Sequence, residues 1–458
     1  MSNHVVPGSF RDPSGFLFFQ DQKLYRQINK GYRQNYDHLI DSHLYEALVE
    51  SKLLIPHKEA DIKFAVTDDA YKIIKPEYIP FISYPYEWSF SQLKDAALTT
   101  LDIQKKALEF DMSLKDCSAY NIQFASGKPV FIDTLSFEKY SEGQPWVAYK
   151  QFCQHFLAPL ALMAHTNVQL NQLSRVFIDG IPLDLASSML GLKTRFKFSL
   201  LSHVHLHAKS QRRFSDKAIK KTNHRLSRIS FLGLIDNLES AIRKLKPREM
   251  RTEWVDYYEN DGYEQKAFKH KKTLLSGFLD TCKPESLWDL GANTGVFSRL
   301  ASDRDINTIA FDIDPGAVEN CYLQTKVAGE ENILPLVLDL RNPSPGIGWQ
   351  HEERMSLVDR GPADMVFALA LIHHLAISNN VPFDKIAQFF AAVCNNLAIE
   401  FVPKQDEQVK RLLATREDIF PNYTREAFEK SFEQHFKIMG SAEIDSSERV
   451  LYLMAKKT

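Results

Sequence analysis

The sequence predicts an α/β protein in two parts: an open, mostly parallel C-terminal sheet closed by an antiparallel hairpin, behind an N-terminal domain of α+β type. Three observations lead there. Leu287–Asp314 runs an apolar stretch into a glycine-punctuated turn, a helix-like segment and a second apolar stretch ending in acid, the pattern of a β-turn-α-β unit. Apolar runs of strand length recur after it, with polar residues at their carboxyl ends. The first third of the chain instead interleaves hairpin and helix patterns. At 458 residues the chain is longer than one core usually organises, so two domains are expected.

Composition narrows the class. Hydrophobic content of 44% and charged content of 25% are those of an ordinary globular protein. A net charge of −2 predicts no global affinity for nucleic acid or an anionic membrane. Cys117, Cys153, Cys282, Cys321 and Cys394 are odd in number, scattered and without a CxxC, which argues against a disulfide framework and a structural zinc. That usage suits a cytoplasmic location. The N-terminal residues lack the apolar run of a signal peptide. The longest apolar stretch, Phe156–Ala164, is too short for a membrane span and contains Pro159.

The elements follow in order. Ser14–Phe18 and Lys23–Ile28 predict a hairpin about the polar turn Gln20-Asp21-Gln22. A helix over His38–Leu54 is stopped by Pro56. Phe64–Lys72 and Tyr78–Tyr84 have strand patterns, broken by Lys75-Pro76 and Pro80. Ser89 or Ser91 caps a helix whose apolar residues recur from Leu93 to Phe110.

Leu114–Phe137 then places Asp116 five residues before Asn121. A hairpin turning at Ser126-Gly127 leads through Val130-Phe131-Ile132 to Asp133. An acid, a nearby amide and a second acid beyond a hairpin are how phosphotransferases hold a base and Mg²⁺ ligands. The stretch resembles the catalytic loop and metal-binding acid of protein-kinase-like folds, especially the small-molecule kinases. The resemblance implies Asp116 as the catalytic acid, Asn121 and Asp133 as metal ligands, and Mg-ATP if the domain is active. The chain departs from that family in three places. Only Pro13-Ser14-Gly15 stands for a glycine-rich loop, Arg26 is the nearest cation to the family's strand lysine, and Thr134-Leu135 follows the second acid. A structural Asp/Asn turn in a diverged, non-catalytic scaffold accounts for the same residues.

Trp146–Leu162, Ile181–Met189 and Arg195–His207 read as helices. His203, His205 and His207 lie two apart and so share no helical face, which favours packing or polar roles over a metal. From Lys209 to Arg251 there are thirteen Lys/Arg against four Asp/Glu. Phe214 and Phe231 are its sparse aromatics, so a solvated linker and helix face is favoured over a nucleic-acid surface. Lys246-Pro247-Arg248 marks the boundary between a domain over 1–247, with its basic segment 209–247, and a second over 248–458.

In the second domain, Gly291 and Gly295 let the backbone approach a ligand, and Asp312 sits where an acid receives a ribose hydroxyl pair. The pattern Asp289-x-Gly291-x-Asn293-x-Gly295 resembles motif I of class I S-adenosylmethionine-dependent methyltransferases, with Asn293 in place of the commoner middle glycine. Such a Rossmann-like sheet requires further strands in a fixed order. Ile333–Leu338 ends in Asp339, Asp364–Leu371 runs into His373-His374, Leu397–Val402 contains Glu400, and Phe436–Met439 with Arg449–Ala455 makes a closing hairpin. The resemblance implies cofactor contacts from Asp289, Gly291, Asn293, Gly295, Asp312, Ile313, Asp339, Leu340 and Ala368. It also implies a helical segment over Trp254–Lys272, with Tyr257 or Tyr263 lining the methionine end and a lysine meeting its carboxylate.

Methyl transfer asks the protein to align an acceptor and remove its proton. His373 and His374 follow the fourth strand, where an acceptor belongs, and imidazole titrates near neutral pH. Either suits a base for an alcohol or phenol, or a packing and capping role. Glu400 and Asp406 are second-tier candidates. The [DN]-P-P-[YF] tetrapeptide of many amino-group base methyltransferases is absent, which weakens a DNA or RNA acceptor. Taken whole, with ALALIHHLAISNNVPFDKIA and the long polar segment Lys404–Tyr423, the chain resembles the two-part nodulation-protein type of methyltransferase. That resemblance implies a small-molecule or glycan acceptor.

Overall fold

The computed structural model describes residues 4–206, 227–248, 262–414 and 417–457, with side chains in the helix at 262–282 from residue 266 onward. By its internal contacts the chain divides into two units. One comprises Met1–Met250 with Ile347–Arg354; the other comprises Arg251–Gly346 with Met355–Thr458.

The first unit opens with a five-stranded antiparallel sheet. Its strands are β1 (His4–Val5), β2 (Gly15–Gln20), β3 (Lys23–Asn29), β4 (His57–Ala60) and β5 (Ala70–Pro76), in the order β1-β2-β3-β5-β4. The β2–β3 hairpin turns at Asp21 and Gln22, both with positive φ (49° and 61°), as a tight turn between twisted strands requires. Alternate residues Phe18, Tyr25 and Ile73 bury one face of this sheet. Ile28 and Ile74 bury the other, with Tyr32, Tyr36 and Leu135.

Several expectations are corrected here. The helix predicted over His38–Leu54 is two helices, Arg33–Asp41 and Leu44–Glu50, broken where His43 takes φ 66°. Tyr78–Tyr84 is no strand; Pro80 within it cannot donate to a ladder. Its end is instead fixed by side chains: Ser83 N donates to Gln123 Oε1 at 2.8 Å, and Trp88 Nε1 donates to Ser83 Oγ at 2.9 Å. The edge strand β4 carries no apolar alternation and was not expected.

The helix Phe90–Glu109 begins in a capping box. Ser89 N donates to Gln92 Oε1 at 2.9 Å while Ser89 Oγ accepts from Gln92 N. Beyond it come β6 (Met112–Leu114), β7 (Ile122–Ala125), β8 (Lys128–Phe131) and β9 (Phe137–Lys139), paired as β6–β9 and β7–β8. Ser126 and Gly127 turn the β7–β8 hairpin with φ of 48° and 71°.

The apolar helix at Trp146–Leu162 runs from Tyr149 to His165. It widens into a π turn at Cys153–Leu157, just before Pro159, which cannot donate to the ladder. Arg195–His207 breaks into short pieces ending in a π turn, Leu201–Leu206. Residue 207 and, of the basic stretch, 209–226 and 249–251 lie outside the described residues. The helix Arg228–Lys244 within it buries Phe231, Ile235, Leu238 and Ile242, one helical stripe. Lys94 Nζ finishes that helix by donating to the carbonyls of Arg243 and Leu245, both at 2.9 Å.

The second unit is built on a seven-stranded sheet of β10 (Ser286–Leu290), β11 (Asn307–Asp312), β12 (Ile333–Val337), β13 (Ala363–Ala368), β14 (Cys394–Phe401), β15 (Phe436–Glu443) and β16 (Val450–Lys456). Their order is β12-β11-β10-β13-β14-β16-β15. The first five run parallel, and β16 is antiparallel to both neighbours. The helix Gly262–Cys282 lays Leu275 and Leu279 on Leu287, Met365, Phe367, Leu451 and Leu453 of the sheet. Residue 257, proposed for the cofactor pocket, and the side chain of Tyr263 lie outside the described residues.

Candidate functional site

Order reverses between β10 and β13, so the carboxyl ends of these strands form the switch point where ligands of open α/β sheets bind. The turn after β10 is left-handed at three alternate positions: Gly291 (φ 88°), Asn293 (φ 51°) and Gly295 (φ 78°). Asn293 replaces a glycine there because asparagine tolerates this conformation better than most side chains. A Cβ on Gly291 would find only Leu371 Cδ1, at 3.7 Å, so room remains beside that backbone. Gly295 serves packing instead, since a Cβ there would lie 2.7 Å from Cys321 Sγ.

Two acids flank the turn. Asp289 is fully buried on β10, accepts from Ser298 Oγ at 2.6 Å, and keeps Oδ1 without a hydrogen-bond partner among the described residues. Burial pushes its carboxyl up to about 7. Asp312, ending β11, binds Asn293 N at 2.7 Å through Oδ2 and Asp314 N at 2.9 Å through Oδ1. It thereby ties the turn to the next strand, and with a third backbone contact, from Ile313, one acceptor direction of the carboxylate remains. Burial raises its pKa as well. Ile313 is half-exposed beside it, and Ala368 is buried at the end of β13. Asp339 and Leu340 follow β12. There the Asp339 carboxylate accepts a bidentate pair from Arg341 Nε and Nη2, both at 2.9 Å.

On the acceptor side, His373 is buried and His374 half-buried, with ring centroids 4.2 Å apart. Burial first, then His374 and Arg449, lower His373 to about 3, and burial lowers His374 too. Both imidazoles are therefore neutral at physiological pH. The Nδ1 of His373 has no hydrogen-bond partner among the described residues.

Glu400 is not a free carboxylate. It pairs with Lys271 and lies 3.3 Å from Arg449 Nη1, and its Oε2 accepts from Ala370 N at 2.9 Å. Burial opposes its charge, but Lys271 and Arg449 outweigh it and hold Glu400 down to about 2. A general base of that strength is poor, so its catalytic assignment is replaced by a positioning one. Ala370 adopts φ 48°, and Glu400 fixes it just ahead of the histidines.

Lys271 and Arg449 were missed in the sequence. Lys271 was detectable as a charged residue four and eight positions before the buried Leu275 and Leu279, on their helical stripe. Its ammonium sits 4.7 Å from the Phe297 ring centroid. Arg449 clamps Asp406 through Nε at 2.7 Å and Nη2 at 3.1 Å, which commits Asp406 to structure.

In the first unit, the phosphotransfer candidates come together differently from the expectation. Asp133 pairs with Arg26 and accepts from Ser136 Oγ. Asn121 Nδ2 donates to Ser136 Oγ at 3.3 Å, and Asp116 accepts from Ser118 N at 2.9 Å and Gln151 Nε2 at 2.8 Å. Pro13-Ser14-Gly15 is no phosphate cradle. Ser14 N donates to Asp12 Oδ1, Gly15 N donates to Asp12 O, and a Cβ on Gly15 would strike Gln27 O at 2.1 Å. His203 bonds Tyr149 and Asn237, and His205 bonds Ser187 and Thr194, so all four ring nitrogens are engaged.

Strand order, with an antiparallel strand inserted next to the last parallel one, gives the second unit the class I methyltransferase fold. The nodulation protein NoeA of Rhizobium meliloti (strain 1021) is 35% identical over 455 residues, 98% of this chain and 95% of that protein. The chain belongs to the NoeA family. No protein-family model matches it. Among solved structures, the N-methyltransferase NodS from Bradyrhizobium japonicum WM9 aligns at TM-score 0.32 and 10% identity, over 42% of this chain and 97% of its own. The magnesium protoporphyrin IX methyltransferase from Synechocystis PCC 6803 aligns at TM-score 0.31 and 14% identity, over 44% and 93%.

Proposed function

We propose that the second unit transfers a methyl group from S-adenosylmethionine to a small-molecule or glycan hydroxyl. The observation that carries this reading is the left-handed turn after β10, with its open face at Gly291, held by Asp312 at the switch point of the sheet. The residues suit the cofactor: Asp312 retains acceptor capacity for a ribose, and Asp289 and the turn's backbone lie beside it. When bound, the sulfonium supplies an electrophilic methyl group. The chain's own part is to align the acceptor and take its proton. We assign that proton to His374, which is the less buried of the pair and neutral near pH 7, with His373 packed against it. The nodulation context of the relative's name and the resemblance of the whole chain support a glycan or small-molecule acceptor. No helix among the described residues is long and apolar enough to cross a membrane.

The first unit we read as a kinase-like scaffold that recognises substrate or partner. Its succession of hairpin, helices, strand pair and long helix supports this, as does the placement of Asp116, Asn121 and Asp133 around one loop and hairpin.

The test is calorimetric titration of the full-length protein with S-adenosylmethionine. Saturable binding is expected, weakened about tenfold or more in Asp312→Ala, the loss of one charge-assisted contact. Absence of binding by well-folded protein removes the reading.

A further inference from the structure

A kinase-like reading of the first unit implies Mg-ATP, and the donor set does not fit it. Asp133 would carry the metal, yet Arg26 and Asp133 form an ion pair whose side chains are 11% and 12% exposed. The second Asp133 oxygen receives Ser136 Oγ–H, Leu135 N reaches the first at 3.3 Å, and the Asn121 amide N–H donates to Ser136 Oγ. The sequence dictates this placement. On β3, Arg26 lies on the face of Ile28, opposite Ile74, which is the face that packs Leu135, two residues from Asp133.

We propose that Arg26 stands where a divalent cation would, making the first unit a metal-independent scaffold. This rests on the kinase-like reading of Asp116, Asn121 and Asp133. With Arg26 in place the two acids and the guanidinium sum to a single negative charge. Without it they sum to two, with an amide beside them, a set suited to a hard cation. A metal binding the wild-type protein would have to displace a guanidinium that cannot deprotonate, leaving it buried beside a cation.

The experiment is titration of the full-length protein with Mn²⁺, with and without ATP, following the EPR signal of the free ion. The wild-type protein is expected to leave that signal unchanged. Arg26→Ala is expected to gain saturable binding at least about tenfold tighter than any wild-type affinity, abolished again in Arg26→Ala/Asp133→Ala. Mn²⁺ bound by the wild type and lost in Asp133→Ala overturns the proposal and leaves the kinase-like reading standing. Arg26→Ala with a wild-type circular dichroism spectrum and no Mn²⁺ binding removes both. Should Arg26→Ala not fold, Arg26→Met keeps the apolar stem and carries the same comparison.

Discussion

At the scale of single residues, the second unit spends its buried charge on holding a loop. Lys271, Glu400 and Arg449 are desolvated together, and Glu400 passes that fixation to Ala370 N. Breaking one partner of such a set leaves an uncompensated charge, so Glu400→Leu should cost about 3 kcal/mol or more in denaturant unfolding. Glu400→Leu/Lys271→Met should recover part of that loss, because Arg449 keeps Asp406 and no lone ammonium remains. A cost under about 0.5 kcal/mol for the single change would remove the positioning role, since surface pairs already account for that much. His373 makes a separate prediction with a definite sign. Its folded pKa of about 3 lies below the ordinary 6.5, so the unfolded chain binds the proton first. The stability it contributes is present above about pH 6.5 and is lost as pH falls toward 3, by about 1.4 kcal/mol per pH unit. Unfolding free energies of wild type and His373→Gln should therefore converge between pH 7 and pH 5, and parallel profiles would count against a neutral buried imidazole. Glu400 works in a lower window, its contribution lost between about 4.5 and 2.

At the scale of elements, legibility followed local pattern. The strands β10 to β14 were readable because each is an apolar run, and β10, β11 and β12 each carry an acid beside the chain reversal that follows. The hairpin β2–β3 was readable because aromatic alternation brackets a polar turn. The strand β4 was not, since His57-Lys58-Glu59-Ala60 lies at a sheet edge and needs no apolar face. The tie from Glu400 to Lys271 was equally hidden, because two residues 129 apart in sequence leave no joint local signal. The motif I turn was legible in spacing, but not in the reason for Asn293, which is its positive φ. That reason is testable in the element itself. Asn293→Gly should be tolerated within about 0.5 kcal/mol, whereas Asn293→Val should cost about 1–2 kcal/mol, because a β-branched residue resists that conformation. Gly295→Ala should cost more than the glycine change, as its Cβ meets both Cys321 and an unfavourable φ. Thermal melts of the three variants would order them. A harmless valine would mean that the turn is not held left-handed at position 293.

At the scale of the whole molecule, chain order and unit order differ. Residues 347–354 interrupt the sequence of the second unit, yet they count with the first. Within that first unit Glu353 is a buried acceptor. Arg11 grips it with Nε and Nη2, both at 2.8 Å, and Trp349 N donates to it at 2.7 Å. Those bonds from Arg11, ahead of its burial, hold the Glu353 pKa below its ordinary value. A Cβ on Gly8 would meet Glu353 O at 2.4 Å, so the two backbones are in close contact. Arg354 stacks on Tyr120, its guanidinium 4.2 Å from the ring centroid, and Ile347 packs on the cluster of Tyr84, Tyr86 and Tyr120. No sequence boundary near residue 248 separates these groups cleanly. A fragment of residues 1–250 lacks the segment, leaves Arg11 only its longer contact to Asp179 at 3.8 Å, and bares the tyrosines. It should therefore melt at least about 4 °C below the corresponding transition of the full chain, the shift expected for a loss of about 2 kcal/mol in a unit of this size. A synthetic peptide of residues 345–356 should restore part of that difference, and the same peptide with Glu353→Gln should restore less. In the full chain, Glu353→Gln should lower the same transition without weakening S-adenosylmethionine binding. A fragment that melts with the full chain, indifferent to the peptide, would show that the segment adds nothing to the first unit's stability.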